Sequence, residues 1–283
     1  MQKRYAALFA ALAVAAAPLA AQETETPTVT EVGPARTVPI QYSNLIDPSK
    51  NFVLAYDIRV GTVTRPAYLG SDEYVTAPDF AIHFNYARLK GLGEYGDPTG
   101  TARPRAFGVR GSLRYIPGRD ASQHDDLKGL DDIDPTVELG LGAVYRTRNF
   151  ETFADVRYGF VGSEAFYGEL GADGIIYPTN RWEFRFGPRL GFGADGFAQT
   201  YFGVTSDESA KSGLEVYDAS GGLLSAGLVA SARYRFTDLW GVEATVRGDR
   251  LLNDAADSPI TGTGSADQYQ FRLGITRELM LQF

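Results

Sequence analysis

His83 and His124 carry all the imidazole in this 283-residue chain, and it has no cysteine. Thiolate nucleophiles, thiolate metal sites and disulfides are therefore excluded. A serine-type hydrolase needs a base within reach of its nucleophile. Neither histidine stands in a Ser/His signature, and G-x-S-x-G is absent. The glycines of "GLGEYG" (91–96) follow no βαβ unit, so they form no phosphate loop. Asp120, Asp125, Asp126, Asp131, Asp132 and Asp134 crowd one stretch. Such a run would suit a divalent cation, for example one bridging lipopolysaccharide phosphates. It lacks the alternating spacing and glycine of an EF-hand loop, and a solvated acidic loop is the better reading. No catalytic residue, metal ligand or cofactor is assigned, and the chain is expected not to be an enzyme. A formal charge of −8 argues against a nucleic-acid partner.

The remaining chemistry is ionic and regularly spaced. In "RWEFRFGPRLGFG" (181–193) Arg181, Glu183, Arg185 and Arg189 alternate with Trp182, Phe184, Phe186, Leu190 and Phe192. A period of two is the signature of a strand with unlike faces. The same alternation places Asp57, Arg59, Arg110, Arg114, Glu138, Glu151, Asp155, Arg157, Glu169, Asp173, Arg233, Arg235, Glu243, Arg247 and Asp249 on polar strand faces, with His83 among them. In a soluble sandwich the charges would meet water. In a membrane barrel they would line the lumen, and the aromatics would meet lipid.

Three features favour the barrel. Several strands alternate over ten or more residues, matching the ~9–11 needed to cross a bilayer at a tilt. Ten segments (51–63, 79–90, 105–117, 134–147, 149–162, 165–177, 180–194, 221–237, 239–252 and 267–283) can be threaded up and down. The short turns at 147–149, 178–180 and 237–238 then fall on one side, with both termini, and the long polar loops fall on the other. The stretch 91–104 is the misfit, a long turn on the short side. Finally, the terminal strand ends in Phe283, a signal of the kind read by barrel-insertion machinery. Arg277 counts against the pattern, because it falls on the apolar face. The expected fold is an all-β, closed antiparallel transmembrane β-barrel of 10 strands. It becomes 12 if 195–220 holds another hairpin. A lumen filled with Arg–carboxylate pairs should be narrow or plugged.

Lys3 and Arg4 precede the Ala-rich run "YAALFAALAVAAAPLAA", which reads as a signal peptide over 1–21. Residues 22–50 are polar and Pro-rich and read as a flexible periplasmic leader. The barrel takes 51–283. Location in the outer membrane of a Gram-negative bacterium follows, with lipid and lipopolysaccharide as surroundings.

"PAYLGSDEY" (66–74), "DDLKGLDDIDPTVELG" (125–140), "TYFGVTSDESAKSGLEVYDASGG" (200–222) and above all "RLLNDAADSPI" (250–260) resemble the MipA/OmpV family of outer-membrane proteins. The resemblance spans about residues 50–283. Its motif loop contains Arg250, Asp254, Asp257, Ser258 and Pro259. Asp254 would cap backbone N–H groups, and Pro259 would fix the chain direction. A loop-shaping role is the stronger reading of this motif, a ligand or partner site the weaker. Family members often have Gly before the position of Asp254, where this chain has Asn253. The resemblance implies an outer-membrane barrel. It also implies either a scaffold joining a lytic transglycosylase to a peptidoglycan synthase, a narrow porin-like channel for small solutes, or an adhesin. The scaffold is the leading expectation.

Overall fold

A computed structural model describes residues 46–96 and 106–283, and all their side chains except those of 83–85, 95, 96 and 106. The expected signal peptide, most of the leader and the His83 side chain lie outside the described residues.

Alternating sequence becomes antiparallel strand throughout. The strands are β1 (Phe52–Pro66), β2 (Tyr74–Leu89), β3 (Gly93–Gly96), β4 (Ala106–Ile116), β5 (Thr136–Arg146) and β6 (Phe150–Gly159). They continue with β7 (Phe166–Ile176), β8 (Trp182–Gly193), β9 (Gly222–Arg235), β10 (Trp240–Leu251) and β11 (Asp267–Gln282). They form one sheet, ordered β3-β2-β1-β11-β10-β9-β8-β7-β6-β5-β4. The first and last long strands pair, with Leu54 opposite Leu281 and Thr64 opposite Phe271. Strands β3 and β4 are the edges of the described sheet.

Each of the ten expected segments falls on a long strand, although β1 runs on to Pro66 and β2 already starts at Tyr74, outside the expected bounds 51–63 and 79–90. The count among the described residues is nevertheless eleven, neither ten nor twelve. The extra strand is short β3, which folds back on the end of β2 with Leu89 opposite Gly93. Gly91 and Gly93, both at positive φ, make this tight reversal. The alternative hairpin in 195–220 does not form. Helices α1 (Asp195–Phe202) and α2 (Ser206–Ser212) stand there instead. Local chemistry explains the second helix. Thr205 and Glu208 make a reciprocal capping box, and Gly213 ends the helix in the left-handed conformation.

The connections sort by end. Residues 67–73, 117–135, 194–221 and 252–266 lie at one end of the sheet, while the described turns at the opposite end, 90–92, 147–149, 177–181 and 236–239, are short. The long loops fold together into a cap. Buried Phe197, Ala198, Tyr201 and Phe202 of α1 pack with Ile116, Tyr167, Leu224, Leu251 and Ala255. A second cluster joins Tyr68, Ala121, Leu127, Leu130, Val204 and Ile260, from four different loops. This cap ties together regions far apart in the sheet: the β1–β2 loop meets the β4–β5 loop where Tyr68 abuts His124, ring centroids 4.9 Å apart.

Candidate functional site

The two faces of the sheet are inverted relative to a water-soluble protein. Phe107, Val109, Leu113, Leu141, Val156, Phe166, Phe186, Phe271, Leu273 and Ile275 are exposed. On the opposite face Asp57, Arg59, Glu138, Glu151, Asp155, Arg157, Glu169, Asp173 and Arg189 are buried. Charged residues are rarely buried unless paired, and a continuous exposed apolar band of this extent needs an apolar surrounding.

The buried face is concave, because its ion pairs skip strands. Arg233 of β9 reaches Asp57 of β1 at 3.3 Å, across β10 and β11. Arg247 of β10 reaches Glu169 of β7 at 3.0 Å, across β9 and β8. Such side chains meet only if the sheet curls around them.

Three linked groups fill the concavity. Around β4–β6, Arg114 holds Glu138 through two bonds of 2.7 Å, and Arg157 donates to the same carboxylate at 3.2 Å. Beside them Arg110 grips Asp155 at 2.8 and 2.6 Å, and Ser112 bridges Asp155 and Arg157. The guanidinium of Arg114 also lies 3.8 Å from the centre of the Tyr167 ring, and that of Arg110 equally close to Phe153. Around β8–β9, Arg185 donates to Glu183 at 2.6 Å and approaches Glu151 at 3.6 Å, while Arg235 stands 3.9 Å from Glu183. Around β1, β9 and β10, Glu243 pairs with both Arg59 and Arg233. Arg189 pairs with Asp173 at 2.7 Å, and Arg247 also with Asp249.

The structure thus brings together eighteen of the nineteen arginines and carboxylates proposed for the lumen. Arg181 is the exception. It precedes β8, is exposed, and lies in the short turn at the end away from the cap. Alternation continued one residue past the strand misplaces it, because the pleat no longer fixes side-chain direction there. Asp79 and Arg272 join the network and were not anticipated, although strand parity would have placed both. Inward Phe153 and Tyr167, on which the guanidiniums lie, were also missed. Arg277 on the outer face is accommodated by Trp240, opposite it in register, with the guanidinium 4.6 Å from the ring centre.

The motif loop shapes the cap. Helices α3 (Asp254–Asp257) and α4 (Pro259–Thr263) fill it. Asp254 accepts from the Ser220 backbone N–H at 2.7 Å, and its carbonyl accepts from the Tyr217 hydroxyl. Ser258 is buried, donates to the Phe202 carbonyl at 2.6 Å and caps α4, where Pro259 is the first residue. Asp257 ends α3. Arg250 makes an exposed pair with Asp267 at 2.8 Å. Asn253 is held at φ 50°, ψ −134°, a conformation open to glycine and strained for other residues.

Cap electrostatics is local. Burial pushes Glu208 up, but the backbone N–H groups of Thr205 and Asp131 and the Thr205 hydroxyl outweigh it and hold this carboxyl below its ordinary value. Burial lowers the Arg119 guanidinium, which donates to the Tyr201 carbonyl. In the acidic stretch Asp120 caps Ser122, Asp132 accepts the Ala121 N–H, and Asp125 pairs with Lys128. His124 contacts Glu73 at 2.7 Å.

Residues 58–279 match the family described as MltA-interacting protein MipA. The MltA-interacting proteins of Escherichia coli (strain K12) and Shigella flexneri are each 28% identical over 156 residues, 52% of this chain and 58% of theirs. The match thus spans less than two thirds of those relatives. Among solved structures, the COG4313 outer membrane channel from Pseudomonas putida F1 is 11% identical at a TM-score of 0.41, covering 88% of this chain and 100% of that one. The outer membrane protein OprG from Pseudomonas aeruginosa is 11% identical at 0.29, covering 82% and 99%. With its family matched over most of its length and its apolar face turned outward, the chain belongs to the MipA family of outer-membrane proteins.

Proposed function

We propose that the chain is a non-enzymatic outer-membrane β-barrel acting as an envelope scaffold, with its short turns and leader in the periplasm available to murein-remodelling enzymes. The observation that carries this reading is the self-neutralised interior. The concave face is crossed by Arg–carboxylate pairs such as Arg247–Glu169 and Arg233–Asp57, and the opposite end is packed by the loop cap. A diffusion channel needs an open, hydrated bore, and paired charges spanning the bore work against one. The relatives' description as MltA-interacting proteins points to a lytic transglycosylase as the partner class. Barrel insertion through the strand ending in Phe283 is part of the same reading.

The test pairs two measurements on detergent-purified protein. A scaffold retains a lytic transglycosylase on an affinity column and conducts poorly in planar bilayers. Steady conductance, with ion selectivity altered by Arg185→Glu or Arg189→Glu and no transglycosylase retained, would refute the scaffold in favour of a narrow pore.

A further inference from the structure

The outer wall has a hollow. Ala143 stands opposite Ala154 across β5 and β6, and Thr152 stands opposite Ala172 across β6 and β7, one row nearer the short turns. All four share strand parity with exposed Leu141, Val156 or Leu170, so they point outward. Phe107 and Tyr145 rise on one side of these small residues, and Leu170 and Leu190 on the other. Between them runs a furrow of about 500 Å³. The Thr152 hydroxyl donates to the Gly171 carbonyl at 2.9 Å, which leaves an apolar floor. Tyr145 and Thr152 flank the turn 147–149, so the furrow runs toward the short-turn end. The Asn149 side chain donates to the Ile175 carbonyl at 2.9 Å, and its own carbonyl accepts from the Ile175 N–H at 2.8 Å. These bonds set the 147–149 turn beside the end of β7, where the 177–181 turn begins. The two turns carry exposed Arg148 and Arg181 and contain no Asp or Glu.

We propose that the furrow holds an acyl chain of an anionic phospholipid from the leaflet on the short-turn side, with Arg148 and Arg181 meeting its phosphate. Place and charge together select this occupant. A hollow in a lipid-facing wall is filled by what the membrane supplies, and a flexible chain lying in it gains dispersion contacts on several sides rather than one. Arginine makes strong charge-assisted bonds to phosphate, and basic residues at a membrane surface select anionic lipids. A second copy of the chain fits less well. Docking by two-fold symmetry in the membrane would set the Arg148 and Arg181 of each copy against the same charges of the other. The inference rests on the barrel reading above and adds a specific lipid to its surroundings.

Tryptophan fluorescence tests this, because the chain has only Trp182 and Trp240. With both replaced by Phe, a single reporter is supplied by Phe107→Trp at the furrow or by Phe80→Trp on the exposed face of β2 as a control. Each variant is first shown to migrate heat-modifiably. It is then refolded into phosphatidylcholine vesicles containing an equal, low mole fraction of brominated phosphatidylglycerol or brominated phosphatidylcholine. The ratio of the two quenching values cancels reporter depth. That ratio is expected to be several-fold higher for Phe107→Trp than for Phe80→Trp. Arg148→Gln combined with Arg181→Gln is expected to bring it down to the Phe80→Trp level, and Ala154→Phe, which fills the floor, to lower quenching by phosphatidylglycerol. Equal ratios at the two reporters mean an unselective lipid shell and overturn the proposal, as does a ratio unmoved by the arginine substitutions. A Phe107→Trp reporter shielded from both lipids, in protein that cross-links as a dimer, overturns it in favour of a second copy. Absence of heat-modifiable migration in the parent protein would instead overturn the barrel reading itself.

Discussion

Leu141→Arg and Phe107→Arg form a paired test of which solvent meets the outer face. Leu141 is the middle residue of β5 and is 67% exposed, while Phe107, near the start of β4, is 87% exposed. If water bathed this face, both substitutions would be nearly neutral, within ~0.5 kcal/mol, as is usual for exposed sites. In lipid, depth decides. Gly111 pairs with Leu141 and Phe107 with Tyr145, so Phe107 lies four residues nearer the short-turn end. At ~3.4 Å per residue and a tilt of about 40°, that is ~10 Å along the membrane normal. An apolar band ~25 Å tall then puts Leu141 near the midplane and Phe107 near the interface, so arginine costs about 2–4 kcal/mol at the first and about 0–1 at the second. Reversible urea unfolding of protein refolded into lipid vesicles measures both. A Leu141→Arg cost equal to that of Phe107→Arg within 0.5 kcal/mol would refute a lipid-facing outer surface.

Glu138→Ala would leave Arg114 and Arg157 without their shared carboxylate in a buried setting, and is expected to destabilise by about 3–5 kcal/mol in the same unfolding assay. Asn253→Ala keeps the strained backbone and removes the side-chain bond to the Leu223 carbonyl, so a loss of about 1 kcal/mol is expected. Asn253→Gly loses the same bond but relieves strain of about 1–3 kcal/mol, and should unfold later than the alanine variant. The lowered Glu208 carboxyl stabilises the cap fully above the ordinary glutamate value of ~4.3. That contribution is lost as pH falls below it through the still lower value of the folded state. Protease cleavage in residues 194–221 should therefore rise in this acid window, and Glu208→Gln should raise cleavage at neutral pH and flatten the profile.

The sequence by itself determined the strands and their faces. Side chains alternate strictly along a strand, so one unlike pair such as Phe186 and Arg185 assigns a whole face. It also determined which end has the short turns, because connection length is written in the chain. Distance across the fold was not legible. No local pattern says that Arg247 meets Glu169, or Arg233 meets Asp57, since those contacts arise only when the sheet curls. Helix α1 was missed for a related reason. "GFAQTYFGV" alternates well enough to pass for a strand, and only packing against Tyr167, Leu224 and Ala255 makes it pay to be helical. Period-two patterning fixes the direction of a side chain, whereas its partner is fixed by the curl of the whole sheet, which brings distant strands face to face.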